Sequence, residues 1–332
     1  MSTILQTTDS ASQVYALEIT CPLGLENVLE KELHDEGLTQ TRFGEGQVKL
    51  TTDLEGMYKA CLWSRVATRV MLPIANFKID SADELYDGVK AIKWSDHMSA
   101  SDTIAIDCHG TNHHIRNTQF GAVRAKDAIA DYFVELSGER PNVQKEQPDV
   151  RIALRIKREV VTVSIDLSGE SMHRRGYRQQ GSMAPLKENL AAGLLMRAGW
   201  GRDCGLTQLI DPMCGSATFL VEAAMMSLDI APGLGRQYWG FKGWKQHDHR
   251  MWQQLMDFAK NRKKDPAELG LRFQGTDRDQ RAIAAARESI KRAGMVGVID
   301  VAMTPFQEHE FDINPELPGL VITNPPYGER MG

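Results

Sequence analysis

The residues best suited to bind a small molecule lie in three short stretches, and the first of these is residues 209–224. An apolar run that predicts a buried strand ends at Asp211-Pro212, Gly215-Ser216 predict a tight turn, and an apolar helix pattern follows. Glycine lets the backbone approach a ligand closely, and the first turn of a helix presents unpaired N–H groups. The stretch lacks both the G-x-G-x-x-G spacing and the Walker lysine, which disfavours a pyrophosphate ligand. An ordinary strand-to-helix connection remains the alternative.

The second stretch, residues 271–279, predicts another strand that ends in a carboxylate, Asp277. A helix with Ile283, Ala286 and Ile290 on one face is predicted to follow it. In α/β folds an acidic residue at the end of the second strand holds a ribose diol. We therefore expect Asp277 to bind the sugar of a nucleotide-like ligand.

The third stretch is an apolar strand pattern at 319–323 followed by Asn324-Pro325-Pro326-Tyr327. The two prolines fix φ and remove two N–H donors, so the local carbonyls point outward as acceptors. An asparagine amide oxygen and a proline carbonyl can together accept both hydrogens of an exocyclic amino group. The tyrosine ring can stack on the base that carries this group.

Asp-Pro-Met-Cys-Gly-Ser at 211–216 and Asn-Pro-Pro-Tyr at 324–327, in this order, resemble the motifs of the S-adenosylmethionine-dependent amino-methyltransferases. Pro-Leu-Lys-Glu-Asn-Leu at 185–190 resembles the lead-in helix of the guanine-N2 branch of that family. The resemblance implies an α/β fold, with a Rossmann-like class I methyltransferase domain over residues 185–332.

The resemblance also implies S-adenosylmethionine as the cofactor and a role for each motif residue. Asp211 and the glycine turn are expected to hold the methionine end of the cofactor, and Asp277 is expected to hold its ribose. Residues 185–186 are expected to flank the cofactor. Related enzymes carry an acidic residue beside the adenine where this chain has Thr304, so that contact stays open. The implied cofactor-binding set is Pro185, Leu186, Asp211, Pro212, Cys214, Gly215, Ser216, Asp277 and Thr304. The implied catalytic set, which holds a flipped-out base for direct methyl transfer, is Asn324, Pro325, Pro326 and Tyr327.

Residues 1–72 show the pattern of a small α+β domain. Strands are predicted at 14–19 and 47–52, and a helix with Asp53 as its N-cap is predicted over 53–72. This order resembles the ferredoxin-like domain that begins some RNA methyltransferases.

Residues 73–168 show a second α+β pattern. A strand is predicted at 103–108, a helix that ends at Gly138 follows, and a hairpin is predicted from 150–156 and 160–166. This order resembles a THUMP domain, an RNA-binding module found beside such enzymes.

Residues 169–184 have the composition of a basic linker, and the sequence leaves two interpretations of it open. It is either a solvated connection between domains or a contact with RNA, in which the cations meet phosphates and Tyr177 stacks on a base. The resemblance favours the contact, because the segment lies between the RNA-binding and catalytic parts. The predicted RNA-binding residues are Arg174, Arg175, Tyr177 and Arg178.

Residues 229–270 are longer than the usual connection between two parallel strands and carry three of the six tryptophans. We expect these aromatic residues to pack the insert onto the fold. The alternative is that Trp239 or Phe241 lines the pocket for the target base.

The chain of 332 residues has a net charge of −5, so any affinity for RNA must come from local patches. Five cysteines without C-x-x-C spacing are typical of reduced thiols in the cytoplasm. The sequence shows no signal peptide and no apolar run that could span a bilayer, so we expect no membrane partner. His109, His113 and His114 lack a fourth ligand at a suitable spacing, and we predict no metal site.

The resemblance implies an RNA substrate. The ferredoxin-like, THUMP and catalytic patterns together resemble bacterial enzymes that methylate the N2 amine of a guanine in 23S ribosomal RNA, at position 2445. A tRNA guanine-N2 methyltransferase and a non-catalytic RNA-binding or ribosome assembly factor are the alternatives, whereas the THUMP pattern disfavours a DNA adenine methyltransferase. The chain stops soon after its fourth Rossmann strand, so we expect further methyltransferase residues, and in some bacteria a fused C-terminal guanine-N7 methyltransferase domain, to follow.

Overall fold

Strands with alternating burial build the first half of the chain around one sheet. The computed structural model describes residues 13–178 and 186–325. The strands of this sheet are β1 (Tyr15–Thr20), β2 (Thr41–Gly44), β3 (Gln47–Thr52), β4 (Arg69–Lys78), β5 (Thr103–His109), β6 (Asn142–Val143), β7 (Val150–Lys157) and β8 (Val160–Asp166). Within the described residues they lie in the order β2-β3-β1-β4-β8-β7-β5-β6. One continuous sheet therefore serves both predicted N-terminal domains.

The α-helices that accompany this sheet within residues 13–178 are α1 (Glu26–Asp35), α2 (Leu54–Trp63), α3 (Ala82–Lys90) and α4 (Thr118–Ser137). The Asp53 carboxylate accepts a hydrogen bond from the Gly56 N–H at 2.8 Å, so Asp53 is the N-cap of α2 as predicted. Gly138 has a φ of 77° and ends α4 in the left-handed conformation. Local capping chemistry thus fixes these helix ends.

The predicted helix over 53–72 is wrong in its second half. α2 ends at Trp63, and β4 begins at Arg69 and pairs with both β1 and β8. The apolar residues at 66–72 fit a helix face or a buried strand equally well, and pairing with distant strands decides between them. Because β4 runs through residue 72, it links the two N-terminal domains within one sheet.

The second half of the chain forms a parallel sheet with helices between its strands. Its strands are β9 (Gln208–Asp211), β10 (Arg272–Asp277), β11 (Ile299–Met303) and β12 (Gly319–Val321), and its helices are α5 (Glu188–Arg197), α6 (Thr218–Ser227), α7 (His249–Asn261) and α8 (Gln280–Arg292). In the part of the chain that the structure describes, the order is β11-β10-β9-β12 with every pair parallel. This agrees with the predicted Rossmann-like class.

Helix α6 lies in the core of this half, and each of its ten residues is buried. Gly275 on β10 allows the close approach, because a Cβ there would lie 2.7 Å from Leu220 Cδ1 and 2.9 Å from Cys214 Cβ. The α8 face predicted from the sequence is buried, with Ile283, Ala286 and Ile290 in the same cluster. Among the described residues, no helix is both long enough and apolar enough to cross a membrane.

Candidate active site

Three polar residues meet at the carboxyl edge of the parallel sheet. Asp211 ends β9, Asp277 ends the neighbouring strand β10, and Asn324 follows β12 on the other side of β9. The Ile322 N–H donates to the Ile210 carbonyl at 3.0 Å, so the chain from β12 still runs beside β9 just before Asn324. Ligands of open α/β sheets bind at this edge, where the strand order reverses.

The glycine turn lies over the end of β10, and two of its backbone N–H groups donate hydrogen bonds that hold it there. The Cys214 N–H donates to the Thr276 carbonyl at 2.8 Å, and the Gly215 N–H donates to Asp277 Oδ2 at 2.9 Å. Gly215 has a φ of 55°, and no atom lies within 4 Å of the place where its Cβ would be. Two hydrogen bonds thus hold the turn, and the open space above its glycine suits a ligand that approaches the backbone.

Ala217, at the end of the turn, also takes a positive φ, 62°, and is the N-cap of α6. A non-glycine residue in this region stores strain of about 1–2 kcal/mol. Its N–H donates to the Cys214 carbonyl at 2.8 Å, which closes the turn. The strained turn therefore brings the first N–H groups of α6 to the same edge as Asp211 and Asp277.

Asp211 is a buried carboxyl, with 1% of its surface exposed. Burial raises its pKa to about 7 and the Asp277 carboxylate adds to the rise, whereas Thr323 and the Met213 N–H oppose it. A buried carboxyl whose pKa lies near neutrality, at the carboxyl edge of a parallel sheet, is a candidate functional group. Burial also raises the pKa of the Cys214 thiol, which makes that side chain a poor nucleophile.

The structure brings Thr304 to the same edge, because its N–H donates to the Asp277 carbonyl at 3.1 Å. Asn324 and Pro325 are exposed there, and Leu186 is half-buried. Pro185, Pro326 and Tyr327 lie outside the described residues, so their predicted roles stay predictions.

The basic linker requires a correction, because much of it is buried rather than open to RNA. Arg175 is 3% exposed and pairs with Glu222 on α6, and the Tyr177 hydroxyl donates to the other oxygen of that carboxylate at 2.8 Å. A buried side chain cannot contact an RNA, so the prediction of RNA contact is wrong for Arg175 and Tyr177 in this conformation. Arg178 is largely buried too, and among the four predicted contacts Arg174 is the exposed one.

Sequence reasoning missed Glu222 although a signal was present. This residue is the lone charge in the apolar helix Thr-Phe-Leu-Val-Glu-Ala-Ala-Met-Met-Ser, and it is fully buried. A buried carboxylate needs a cationic or hydrogen-bonding partner. The Arg175 guanidinium and the Tyr177 hydroxyl supply both.

The alternative role of the insert as a wall of the base pocket is also wrong. Trp239 and Phe241 stack with ring centroids 5.6 Å apart, and Phe241 packs 5.0 Å from Tyr58 of α2. Both side chains belong to the core of the N-terminal half. The insert therefore binds the methyltransferase half to the N-terminal sheet, in line with the packing role expected for it.

Comparison with known protein families gives three matches along the chain. Residues 16–71 match the RlmL ferredoxin-like domain, residues 80–166 match the THUMP domain, and residues 175–332 match the RMKL-like methyltransferase domain.

The chain is also similar to individual proteins. The chain is 90% identical over its full length to the ribosomal RNA large subunit methyltransferase K/L of Marinomonas sp. (strain MWYL1), of which it covers 46%. It thus spans about half the length of the curated relatives that it matches. It also resembles the structure of SMU.472 complexed with SAH (27% identity, 96% of this chain and 82% of that chain, TM-score 0.83) and a "possible methylase" from Clostridium difficile 630 (32% identity, 96% and 82%, TM-score 0.81).

Proposed function

Because the chain belongs to the RlmL-type family of THUMP-containing methyltransferases, we propose that its parent protein methylates the exocyclic N2 amine of a guanine in 23S ribosomal RNA, at position 2445. The observation that carries the proposal is the convergence of Asp211, Asp277 and Asn324 at the carboxyl ends of three adjoining parallel strands. This arrangement supports the proposal that the cofactor and the target amine bind at one edge of the sheet.

S-adenosylmethionine, when bound, supplies a methyl group that its sulfonium sulfur activates. In our proposal Asp211 and the Gly215 turn hold the methionine end, and Asp277 holds the ribose. The hydrogen bond from the Gly215 N–H to Asp277 supports this assignment, because it holds the carboxylate beside the glycine turn. The proposal also assigns Pro185 and Leu186 to the flank of this site and Thr304 to its adenine side.

Asn324 and Pro325 act on the target base in this proposal. The Asn324 amide oxygen and the Pro325 carbonyl accept the two hydrogens of the guanine amine, while Tyr327 stacks on the ring. Fixing the nitrogen at a reactive distance is the main contribution that these residues make to rate. The amine proton passes to water, so this edge needs no strong general base.

Two findings support an RNA substrate, and the first of them favours ribosomal RNA over the alternatives. The relative from Marinomonas is named for the large ribosomal RNA, and the chain carries a THUMP domain. Arg174, exposed in the segment between the THUMP and methyltransferase domains, stays a proposed RNA contact. A tRNA guanine-N2 methyltransferase is the second candidate, because the THUMP domain suits either RNA.

The test uses the full-length parent protein, labelled S-adenosylmethionine, and separate pools of unmodified 23S ribosomal RNA, 16S ribosomal RNA and tRNA. We expect N2-methylguanosine in the 23S pool alone. The same nucleoside in tRNA alone would establish the second candidate. No label in any pool, with cofactor still bound, would favour an assembly factor that does not catalyse transfer.

Two substitutions separate the roles at the site. Asn324→Ala should remove N2 methylation and leave the affinity for SAH, measured by calorimetry, within about twofold, because it contacts only the amine. Asp277→Ala should weaken SAH binding first, by about tenfold or more. Formation of N7-methylguanosine, which we assign to a fused C-terminal domain of the parent protein, is the internal control. Equal loss of binding in both variants would contradict the assignment.

A further inference from the structure

The largely buried cation Arg178 lies between two segments that the proposed function places around the cofactor. Its Nη2 donates to the Leu186 carbonyl at 2.9 Å and also donates to the Thr218 hydroxyl. Leu186 belongs to the lead-in segment, and Thr218 is the first residue of α6, directly after the glycine turn. One guanidinium therefore spans both flanks of the predicted cofactor site.

A buried acid holds the guanidinium in this place. Arg178 Nη1 lies 3.4 Å from Glu188 Oε1, and the two side chains are 13% and 4% exposed. The other oxygen of Glu188 lies 3.1 Å from His173 Nδ1. Burial opposes ionisation of Glu188, but His173 and Arg178 outweigh it and lower its pKa, so the carboxylate is charged at neutral pH.

The contact with Thr218 reaches the turn itself. The Thr218 hydroxyl lies 3.4 Å from the Ser216 hydroxyl, and Thr218 is 5% exposed. Ser216 follows Gly215, whose N–H is tied to Asp277. A chain of contacts therefore runs from Glu188 through Arg178 and Thr218 to the turn.

We propose that Arg178 is a positioning residue that sets the spacing between the lead-in segment and the glycine turn, and so prepares the site for S-adenosylmethionine. This inference rests on the proposed function of that site. It assigns Arg178 to the cofactor side of the enzyme rather than to the RNA. The guanidinium suits the task because it holds two terminal nitrogens in a fixed plane, so Nη1 faces Glu188 while Nη2 donates to Leu186 and Thr218, whereas an ammonium group has a single nitrogen.

The test measures SAH binding to the chain by calorimetry. Arg178→Met, which keeps an unbranched apolar stem but removes the guanidinium and its donors, should weaken SAH binding by about tenfold. Arg178→Lys should recover part of that loss because it restores the charge and N–H donors, although on a single nitrogen. Arg292→Met is the matched control, since Arg292 pairs with Glu288 on the exposed side of α8. It should bind SAH as the unsubstituted chain does.

Thr218→Val provides a second route if Arg178→Met does not fold. It removes the hydroxyl acceptor and leaves the contacts of Arg178 with Leu186 and Glu188 in place, so SAH binding should weaken by about threefold to tenfold. Amide hydrogen exchange without cofactor should become faster at residues 213–218 in both variants. In the parent protein the KM for S-adenosylmethionine should rise while kcat changes little.

The outcomes distinguish this inference from the proposed function. If the unsubstituted chain and the parent protein both fail to bind SAH, the proposed function fails. If the unsubstituted chain binds and Arg178→Met and Thr218→Val bind equally well, the positioning role is refuted while the proposed function stands. A loss of RNA affinity in Arg178→Met, with unchanged SAH binding, would instead support the RNA contact that the sequence predicted for Arg178.

Discussion

Ionisation of Asp211 should destabilise the folded chain but strengthen the binding of the cofactor. Its pKa rises from 3.8 to about 7, mainly because the carboxyl is buried. Each pKa unit corresponds to 1.36 kcal/mol, so a shift of about three units is worth at most about 4 kcal/mol. This is an upper bound on what the folded state loses by carrying the ionised carboxylate at pH 8.

The sign of the pH dependence follows from the two pKa values. The unfolded chain releases the Asp211 proton near pH 4, whereas the folded chain keeps it until about pH 7. The folded state therefore binds more protons in this window, and the free energy of unfolding falls as the pH rises from about 4 to about 7. Well above pH 7, the free energy of unfolding has decreased by the full amount that ionisation of Asp211 costs.

Asp211→Asn should remove this loss. Asparagine cannot ionise, although its amide hydrogens need acceptors in the site, which offsets part of the gain. We expect the free energy of unfolding to rise by about 1–3 kcal/mol at pH 8 and by less at pH 5. The same substitution should weaken SAH binding at pH 8 by about tenfold or more, because it removes the anion that we assign to the methionine end.

Urea unfolding of the chain at pH 5 and pH 8, together with calorimetry with SAH at pH 8, tests both parts. Asp300→Asn on the exposed side of β11 is the matched control, and it should change neither quantity. A stability difference for Asp211→Asn that is equal at the two pH values would refute the account based on ionisation. Unchanged SAH binding would remove Asp211 from the cofactor site.

Two further predictions concern buried polar groups elsewhere in the fold. Burial lowers the pKa of His97, which accepts a hydrogen bond from Trp244 Nε1 at 3.1 Å, and of His247, so these two histidines should contribute a decrease in the free energy of unfolding as the pH falls through about 6.5, opposite in sign to the contribution of Asp211. The difference in thermal stability between the unsubstituted chain and a His97→Asn/His247→Asn double variant, measured from pH 8 to 5.5, isolates this contribution, and an equal pH dependence of the two would contradict it. Glu222→Gln should lower the free energy of unfolding by about 3 kcal/mol, because it leaves the Arg175 guanidinium buried without its counter-charge. Urea unfolding with the exposed Glu288→Gln as control checks this value, and equal stability of the two variants would argue against it.

The sequence predicts the strand ends of the catalytic half well because their signals are local. The apolar runs that end at Asp211 and Asp277 form β9 and β10, and the order of the strands places both carboxylates together. The helix predicted over 53–72 fails because the choice between helix and strand at 66–72 depends on pairing with β8, nearly a hundred residues along the chain. Periodicity in a short window carries no information about such a partner.

The linker likewise shows that the sequence does not reveal which distant side chain a buried residue contacts. An arginine-rich, glycine-containing segment has the composition of a solvated connection, and its buried partner Glu222 lies 47 residues beyond Arg175. The lone charge in α6 is visible in the sequence, but its partner is not. Only the fold shows that Arg175 and Tyr177 stabilise the interior of the methyltransferase half.

Buried polar contacts also fix the methyltransferase half against the N-terminal sheet. Arg65, between α2 and β4, donates to the Ile230 carbonyl at 2.7 Å, and Arg175 donates to the Arg65 carbonyl. Asn189 on α5 donates to the Thr68 hydroxyl at 3.0 Å. Breaking such contacts would leave charged and amide groups buried without partners, which costs several kcal/mol, so the two halves should move as one body. Under the proposed function, an RNA bound by the THUMP domain would then meet the Asn324 edge at a fixed distance, and target choice would depend on which guanine the RNA fold presents at that distance.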